Sequence, residues 1–414
     1  MTEKSELNDY KNKNGSRIFY GWWIVVLGSL LSAVGTGIMY HSFTVYFLPL
    51  KRDLAVSSAA VSLLYGATRL EGGVEGPIIG RLIDRFGPRP LIIGGAALSG
   101  IGFVVLSTVH SFLAFFIIYV FVISLGYNAG FFHPVSTALN SWFIRRRAIA
   151  FAIMSAAGSA GGIIMAPVLS YLILNFGWRT GAIISGLIIL IVALPAAIPM
   201  HRSPEVRGIR PDGEQTDNDA IQVQGDVPAS GTDFTVRQAL RTRDYWLLTI
   251  SISLRLMVTV ALAAHLIPIL VWKGVSEATA AYFVSVFAFT TVVTTLGMGW
   301  MGDRWSKPIL SALGILASIG GMLGLVLSQG TVALYFFPIG LAITMGTTPL
   351  NWSLIGDLFG RRSYASLRGF MGLVYGVGTF FSPIYAGWIF DSIGSYVLVL
   401  VTFSIILLMS GGLF

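Results

Sequence analysis

Three charges, Arg69, Glu71 and Glu75, fall inside the apolar first half of RLEGGVEGPIIGRLIDRFGPRP, residues 69–90. On a helix Arg69 and Glu71 stand about 200° apart and point in nearly opposite directions. Glu71 and Glu75, four residues apart, share a face. Two carboxylates on one apolar face repel when both are ionised, so the pair is expected to hold one proton between them, the chemistry of a proton-coupling site. The alternative for Glu75, near the end of the stretch, is a latch to Arg85 or to an arginine from elsewhere in the chain. Arg255 is the lone charge between Trp246 and Trp272. A guanidinium in that setting can grip a carboxylate through two parallel hydrogen bonds, or pair with Glu71 or Glu75 instead. Arg69 has the same capacity. If these two arginines and two glutamates share one cavity, protonating one glutamate leaves a single surplus positive charge, which suits a monoanion. His41 and His265 are candidate proton relays, with packed neutral imidazoles as the alternative. Tyr127 and Asn128, with His133 a turn or two further on, offer hydrogen bonds to a bound oxygen or to a neighbouring helix. Tyr40, Phe43, Trp352 and Tyr375 could wall an apolar path.

Such groups need a scaffold that tolerates lipid. Of 414 residues, 55% are hydrophobic and 11% charged, with a mean hydropathy of +0.77, too little polar material to clothe a soluble surface. Long apolar runs recur along the whole chain, and in hydrocarbon the backbone must satisfy itself, which leaves helices or a closed barrel. Unbroken runs favour helices over the short alternating segments of a barrel. The expected fold is an all-α membrane protein of twelve transmembrane helices, near 21–48, 57–79, 91–109, 112–140, 148–174, 178–199, 246–270, 278–300, 309–328, 332–356, 367–389 and 395–414.

The polar stretches between the runs set the organisation. Residues 1–18 read as a tail and not as a cleaved signal peptide, 19–199 and 245–414 as two six-helix bundles, and 200–244 as a flexible or partly helical linker. The bundles repeat one another. Asp84-Arg85 matches Asp303-Arg304 and Pro49 matches Pro268 at an offset of 219, while Arg145-Arg146 matches Arg361-Arg362 and Pro167 matches Pro383 at 216. Two pseudo-symmetric halves with a path between them follow. Lysine and arginine gather on one side, in the tail, at Arg81, Arg85 and Arg89, at Arg145–Arg147, in the linker, and at Arg304, Lys307, Arg361 and Arg362. By the positive-inside rule that side is cytoplasmic and carries both termini. Asp84 and Asp303, each in a basic turn, are expected to pair with arginines and helix ends and hold one gate state, with Arg85, Arg89 and Arg304 beside them. Arg145–Arg147 serve topology, gating and contact with anionic membrane lipids. The net charge of +8 sits in short loops, which argues against nucleic acid. With no cysteine, no phosphate-binding loop and no HExxH or GxSxG, neither a cofactor nor an enzyme is expected.

GRLIDRFGPR, residues 80–89, and GWMGDRWSKP, residues 299–308, resemble the repeated loop motif of the major facilitator superfamily, and GSAGGIIMAP, residues 158–167, is similar to its fifth helix. YGWW (20–23), GPIIGRLIDRFG (76–87) and WFIRRRAIA (142–150) resemble the monocarboxylate-transporter and oxalate–formate-exchanger branch, although the eighth span carries no charge. The resemblance covers essentially the whole chain. It implies a secondary transporter that moves small organic anions by alternating access. A proton would move with the anion, and one chain would suffice as a functional monomer in a bacterial or archaeal inner membrane. An oxalate–formate type exchanger and a proton-driven exporter of amphipathic compounds are the alternatives.

Overall fold

The computed structural model describes residues 19–41, 43–54, 56, 58–213, 233–328 and 330–414. The side chains of His41, Tyr40 and Phe43 lie outside the described residues, as do 1–18 and 214–232. Among the described residues, nine stretches are long and apolar enough to cross a membrane. The longest, Arg147–Ala197, turns at Gly177, whose φ of +82° suits a residue without Cβ, and so forms two spans. The charged helix Ser58–Phe86 and the shorter Val397–Leu413 complete twelve. In chain order these are α1 (Tyr20–Thr36), α2 (Ser58–Phe86), α3 (Pro88–Leu106), α4 (Phe112–Trp142), α5 (147–176) and α6 (178–197) in the first half. The second half holds α7 (Arg243–Ala264), α8 (Glu277–Gly302), α9 (Lys307–Leu327), α10 (Thr331–Gly346 and Thr348–Phe359), α11 (Tyr364–Ile393) and α12 (Val397–Leu413).

The basic stretch 80–89 is not the turn that its charges suggest. α2 runs on to Phe86, and the chain reverses at Gly87, with φ +83°, before Pro88 opens α3. Charge does not stop a helix that has already left the hydrocarbon, whereas a left-handed glycine followed by a proline at the first helical position does. The described ends of the linker follow the partly helical of the two expected forms. Short helical turns at Pro204–Arg207 and Pro211–Gly213 and a capped helix at Val236–Ala239 pack against the bundles.

The two halves merge on the arginine-rich side. One buried apolar cluster holds first-half residues such as Ile24, Phe103, Phe131 and Trp142 together with Tyr245, Trp352, Tyr364, Leu367 and Met371 from the second half. A second cluster, around Val258, Leu262, Phe283, Phe337 and Phe403, belongs to the second half alone. Two seams join the halves, α2 against α11 and α5 against α8, and exchanging the halves turns one seam into the other. The first is lined with glycine. A Cβ placed on Gly73 would stand 2.9 Å from the Gly372 carbonyl oxygen, and one on Gly76 would stand 2.7 Å from that of Gly369. Backbone meets backbone, which leaves no flexible side chain to move aside. Gly76→Leu is therefore expected to force this side open. The natural chain has no cysteine, so a single one at Ser141, 8% exposed at the closed end of α4, reports opening by maleimide labelling. Its labelling rate should rise by about tenfold or more, the factor that 1.4 kcal/mol of closed-state destabilisation gives. An unchanged rate in a folded Gly76→Leu protein would mean that the seam yields without opening.

Candidate functional site

The arginine-rich side is closed by carboxylates from both halves. At the end of α2, Asp84 accepts hydrogen bonds from the backbone N–H groups of Ala365 and Ser366 at 3.3 and 3.0 Å, which caps α11 of the other half. At the end of α8, Asp303 accepts from Ala148 and Ile149 at 2.8 and 3.1 Å, capping α5. These are the same contact made twice, a negative charge on the first turn of a helix where unpaired N–H groups and the helix dipole favour it, each worth about 0.5–2 kcal/mol. Burial raises the Asp303 carboxyl above its ordinary range, against the pull of the two amides and of Lys307. The arginines beside these aspartates take no part in the ties. Arg85 lies over the Phe86 ring, Arg304 lies over Trp300 and donates to its carbonyl, and Arg89 is exposed.

The ion pairs of this side lie elsewhere. Arg147, 3% exposed, meets Asp357 at 2.5 Å and also donates to the carbonyls of Phe143 and Asn140. Lys307 reaches the other oxygen of Asp357. Arg147 thus does not serve the solvated loop that Arg145 and Arg146 belong to, because α5 begins at this residue and turns its side chain inward. Arg361 pairs with Glu205 at 2.7 Å and donates to the Ser141 carbonyl at 2.8 Å. Burial works against ionised Glu205, but hydrogen bonds from Ser203 and Arg361 outweigh it and hold the carboxyl below its ordinary range. Two linker aspartates repeat the capping theme. Asp212 accepts from the backbone of Ile144, Arg145 and Arg146, and Asp233 accepts from that of Arg361 and Arg362.

Within the membrane, Glu71 and Glu75 are neighbours on α2, as their spacing requires. The Ser124 hydroxyl donates to Glu71 at 2.7 Å. Glu75 is 7% exposed, and neither of its oxygens receives a hydrogen bond of ordinary length. α4 passes them in two π-helical turns, Tyr119–Ser124 and Asn128–Phe132, a local widening common at functional sites. The first ends on Ser124. The second begins on Asn128, whose amide rests on Gly72, where a Cβ would come within 2.9 Å of it. Among the described residues neither glutamate is in an ion pair, so the latch between Glu75 and Arg85 is not formed. Arg69 emerges on the other side of α2, its backbone against Gly376 of α11, within electrostatic range of Tyr127 and Tyr375. The Tyr127 hydroxyl is 3.0 Å from that of Thr36 on α1.

Arg255 is not brought to the glutamates. With the Asn351 amide turned to satisfy all its partners, its oxygen accepts from Arg255 Nε and Nη2 at 2.8 Å each, and its nitrogen donates to Ser311 at 3.2 Å. Arg255 Nη1 reaches the Thr344 carbonyl and the Thr348 hydroxyl at 3.3 and 3.4 Å. The fully buried guanidinium is thus tied to α10 and, through Asn351, to α9. His265 has both ring nitrogens engaged, Nδ1 with the Tyr396 hydroxyl and Nε2 with the Pro383 carbonyl, each at 3.0 Å. A carbonyl can only accept, so Nε2 carries the proton and the packed imidazole is the geometry found.

Sequence reasoning passed over Arg368, one turn into α11. It is fully buried, lies 4.2 Å from the Phe132 ring and 4.3 Å from the Trp352 ring, and donates from Nη1 to Ser136. Phe132 and Ser136 belong to the first half and Trp352 to the second, so Arg368 sits on the closed seam. The available signal was a lone arginine inside an apolar run with no acid three or four residues away.

Residues 25–383 match the Major Facilitator Superfamily. Rat monocarboxylate transporter 13 is 24% identical over 386 residues, 91% of this chain and 84% of that protein. Rat monocarboxylate transporter 3 is 27% identical over 398 residues, 91% and 76% of the two chains. The uncharacterized MFS-type transporter YcxA of Bacillus subtilis is 22% identical over 386 residues, 91% and 90% of the two. Among solved structures, FucP in its outward conformation superposes with a TM-score of 0.71 over 94% of this chain and 98% of its own at 15% identity, a likeness of fold alone. With two helical halves, paired carboxylate caps at the ends of α2 and α8 and a family match along most of its length, the chain belongs to the Major Facilitator Superfamily of membrane transporters.

Proposed function

We propose that the protein is a secondary transporter of small organic monoanions, monocarboxylates above all, that carries one proton with each anion by alternating access. The observation that carries the reading is the Glu71–Glu75 pair, a half-buried and a buried carboxyl side by side with, among the described residues, no cation in ion-pair contact. In so apolar a setting the pair holds one proton, and releasing it restores a repulsion that the fold does not neutralise. The names of the monocarboxylate transporters that resemble the chain support the anion. In this reading the arginine-rich side is cytoplasmic, the bundles 19–199 and 245–414 are the two moving bodies, and 200–244 links them. A single chain then holds the whole path. A bacterial or archaeal inner membrane is the proposed location, and anionic lipids meet the basic surface.

The test is uptake of radiolabelled lactate, pyruvate, acetate, formate and oxalate into proteoliposomes, with and without an inward proton gradient and with and without internal counter-anion, corrected for protein-free vesicles. Gradient-driven uptake of a monocarboxylate is the expected result. Uptake that ignores the gradient and needs internal anion would replace symport by exchange. Movement of none of the acids would remove the anion reading and leave export of amphipathic compounds as the next to test.

A further inference from the structure

Arg368 presents a problem that the fold does not solve. A guanidinium carries five N–H donors and a full charge, and burying it without a partner carboxylate is costly. Among the described residues no carboxylate lies within ion-pair distance of it, and its Nε and Nη2 have no hydrogen-bond partner. Arg255, buried to the same degree, has every nitrogen engaged by the protein. The difference is one of purpose: one arginine is built into a half, and the other is left with donors to spare.

Its neighbours suggest when those donors are used. Nη1 is held by Ser136 and one ring face by Phe132, both from α4 of the first half, while Trp352 on the other face belongs to α10 of the second half. Parting of the halves on the arginine-rich side takes Ser136 and Phe132 away and leaves Trp352 in place. The freed guanidinium then shows a bidentate edge and one open face. Trp352 Nε1, buried without an acceptor in the closed state, adds a third donor beside it.

We propose that Arg368 is an anion-binding residue that works only when the arginine-rich side is open. It takes the carboxylate of a monocarboxylate on its freed donors, and the acid's flat apolar body replaces Phe132 on the guanidinium face. The site deepens the transport reading and rests on it for its physiological meaning. Because the anion binds the open state and not the closed one, it draws the equilibrium toward opening, so binding and gating are one event. Lysine, a point charge without a planar fork, does not reproduce the arrangement.

The experiment uses the Ser141→Cys protein in its natural cysteine-free background, with benzoate and acetate as probes and maleimide labelling as readout. Benzoate is expected to accelerate labelling, with half effect at an about tenfold lower concentration than acetate. Arg368→Gln should abolish the acceleration, Arg368→Lys should weaken it by about 50-fold, and Arg255→Gln should retain it in whatever fraction elutes as folded monomer. Uptake assays on the same variants separate the two proposals. If the wild type moves an acid and Arg368→Gln moves it as well, with labelling still accelerated, the Arg368 site is overturned and the transport reading stands. If the wild type moves none of the acids, the transport reading falls, and labelling alone decides: acceleration that needs Arg368 sustains the site, and no acceleration overturns it. Equal potency of acetate and benzoate would remove the apolar-body part and keep the carboxylate.

Discussion

Asp357→Ala is expected to leave the transporter resting open on its arginine-rich side. Asp357 is the shared counter-charge of Arg147 and Lys307, one carboxylate oxygen to each. Its removal leaves two cations facing one another, and Arg147 is 3% exposed. An uncompensated buried charge costs about 3–5 kcal/mol, and the cost falls on the closed state alone, because opening returns both side chains to water. A shift of that size moves a two-state equilibrium by a factor of about 100 or more. Maleimide labelling of the Ser141→Cys reporter should accelerate accordingly, and net uptake should fall by at least tenfold because the cycle loses one of its two end states. Replacing the cluster by Arg147→Met, Asp357→Leu and Lys307→Met together should restore slow labelling, since apolar residues of similar volume make no demand for a counter-charge. Asp84→Asn should be milder, because one helix cap is worth about 0.5–2 kcal/mol and its twin Asp303 remains. If Asp357→Ala labels no faster than its parent in protein that elutes as a folded monomer, the ion-pair cluster does not hold the gate.

The Asp357 cluster also breaks the symmetry of the molecule. At the offset of 216 that relates the halves, the counterpart of Asp357 is Ser141, a neutral residue, and the counterpart of Arg147 is Ser363. The helix caps of Asp84 and Asp303 are duplicated, while among the described residues the ion pairs of Asp357 are not. What faces Ser141 instead is Arg361, which is shared with Glu205 of the linker. The linker thus supplies a counter-charge at the position where the bundles have none, which accounts for the packing of its described ends.

How much of this was legible depends on whether a residue's role follows from its neighbours in sequence or in space. The spans, the duplicated loops and the shared face of Glu71 and Glu75 are local properties of a helix in lipid, and periodicity reports them. Asp84 and Asp303 were legible as residues that meet helix ends because the motif occurs twice, and the ends they meet are the first-turn amides of α11 and α5. Arg145, Arg146 and Arg147 look alike in sequence, and only the start of α5 separates the last from the first two. Arg255 looked like a free cation because its neighbours in sequence are apolar, yet its partners on α10 lie about ninety residues away. Arg368 was passed over, although it is a lone arginine inside an apolar run. Its distinguishing features, two aromatic faces and unmet donors, belong to the closed interface between halves and leave no periodic trace.

Glu75→Gln should uncouple transport from the proton gradient without stopping transport. The amide has the shape of the protonated acid and cannot lose its proton, so the Glu71–Glu75 pair is fixed at one charge or none through the whole cycle. A monoanion moving with one proton is driven by the pH difference alone, about 1.4 kcal/mol per unit, so one pH unit supports about tenfold accumulation. The wild type should approach that ratio above protein-free vesicles, whereas Glu75→Gln should fall to a ratio of about one. Counterflow, in which internal and external anion trade places with no net proton movement, should persist within about twofold of wild type, because the anion's own contacts are untouched. Glu71→Gln should do the same less completely. Glu71 keeps a donor in Ser124 that can steady the ionised form, while among the described residues Glu75 receives no hydrogen bond of ordinary length, which makes it the member of the pair that depends more on its proton. Ser124→Ala tests that ordering, since removing the donor should bring Glu71 closer to Glu75 in its behaviour. Full gradient-driven accumulation in the Glu71→Gln and Glu75→Gln double variant would show that the proton travels by another route, and the buried pair would then be a structural feature of the contact between α2 and α4.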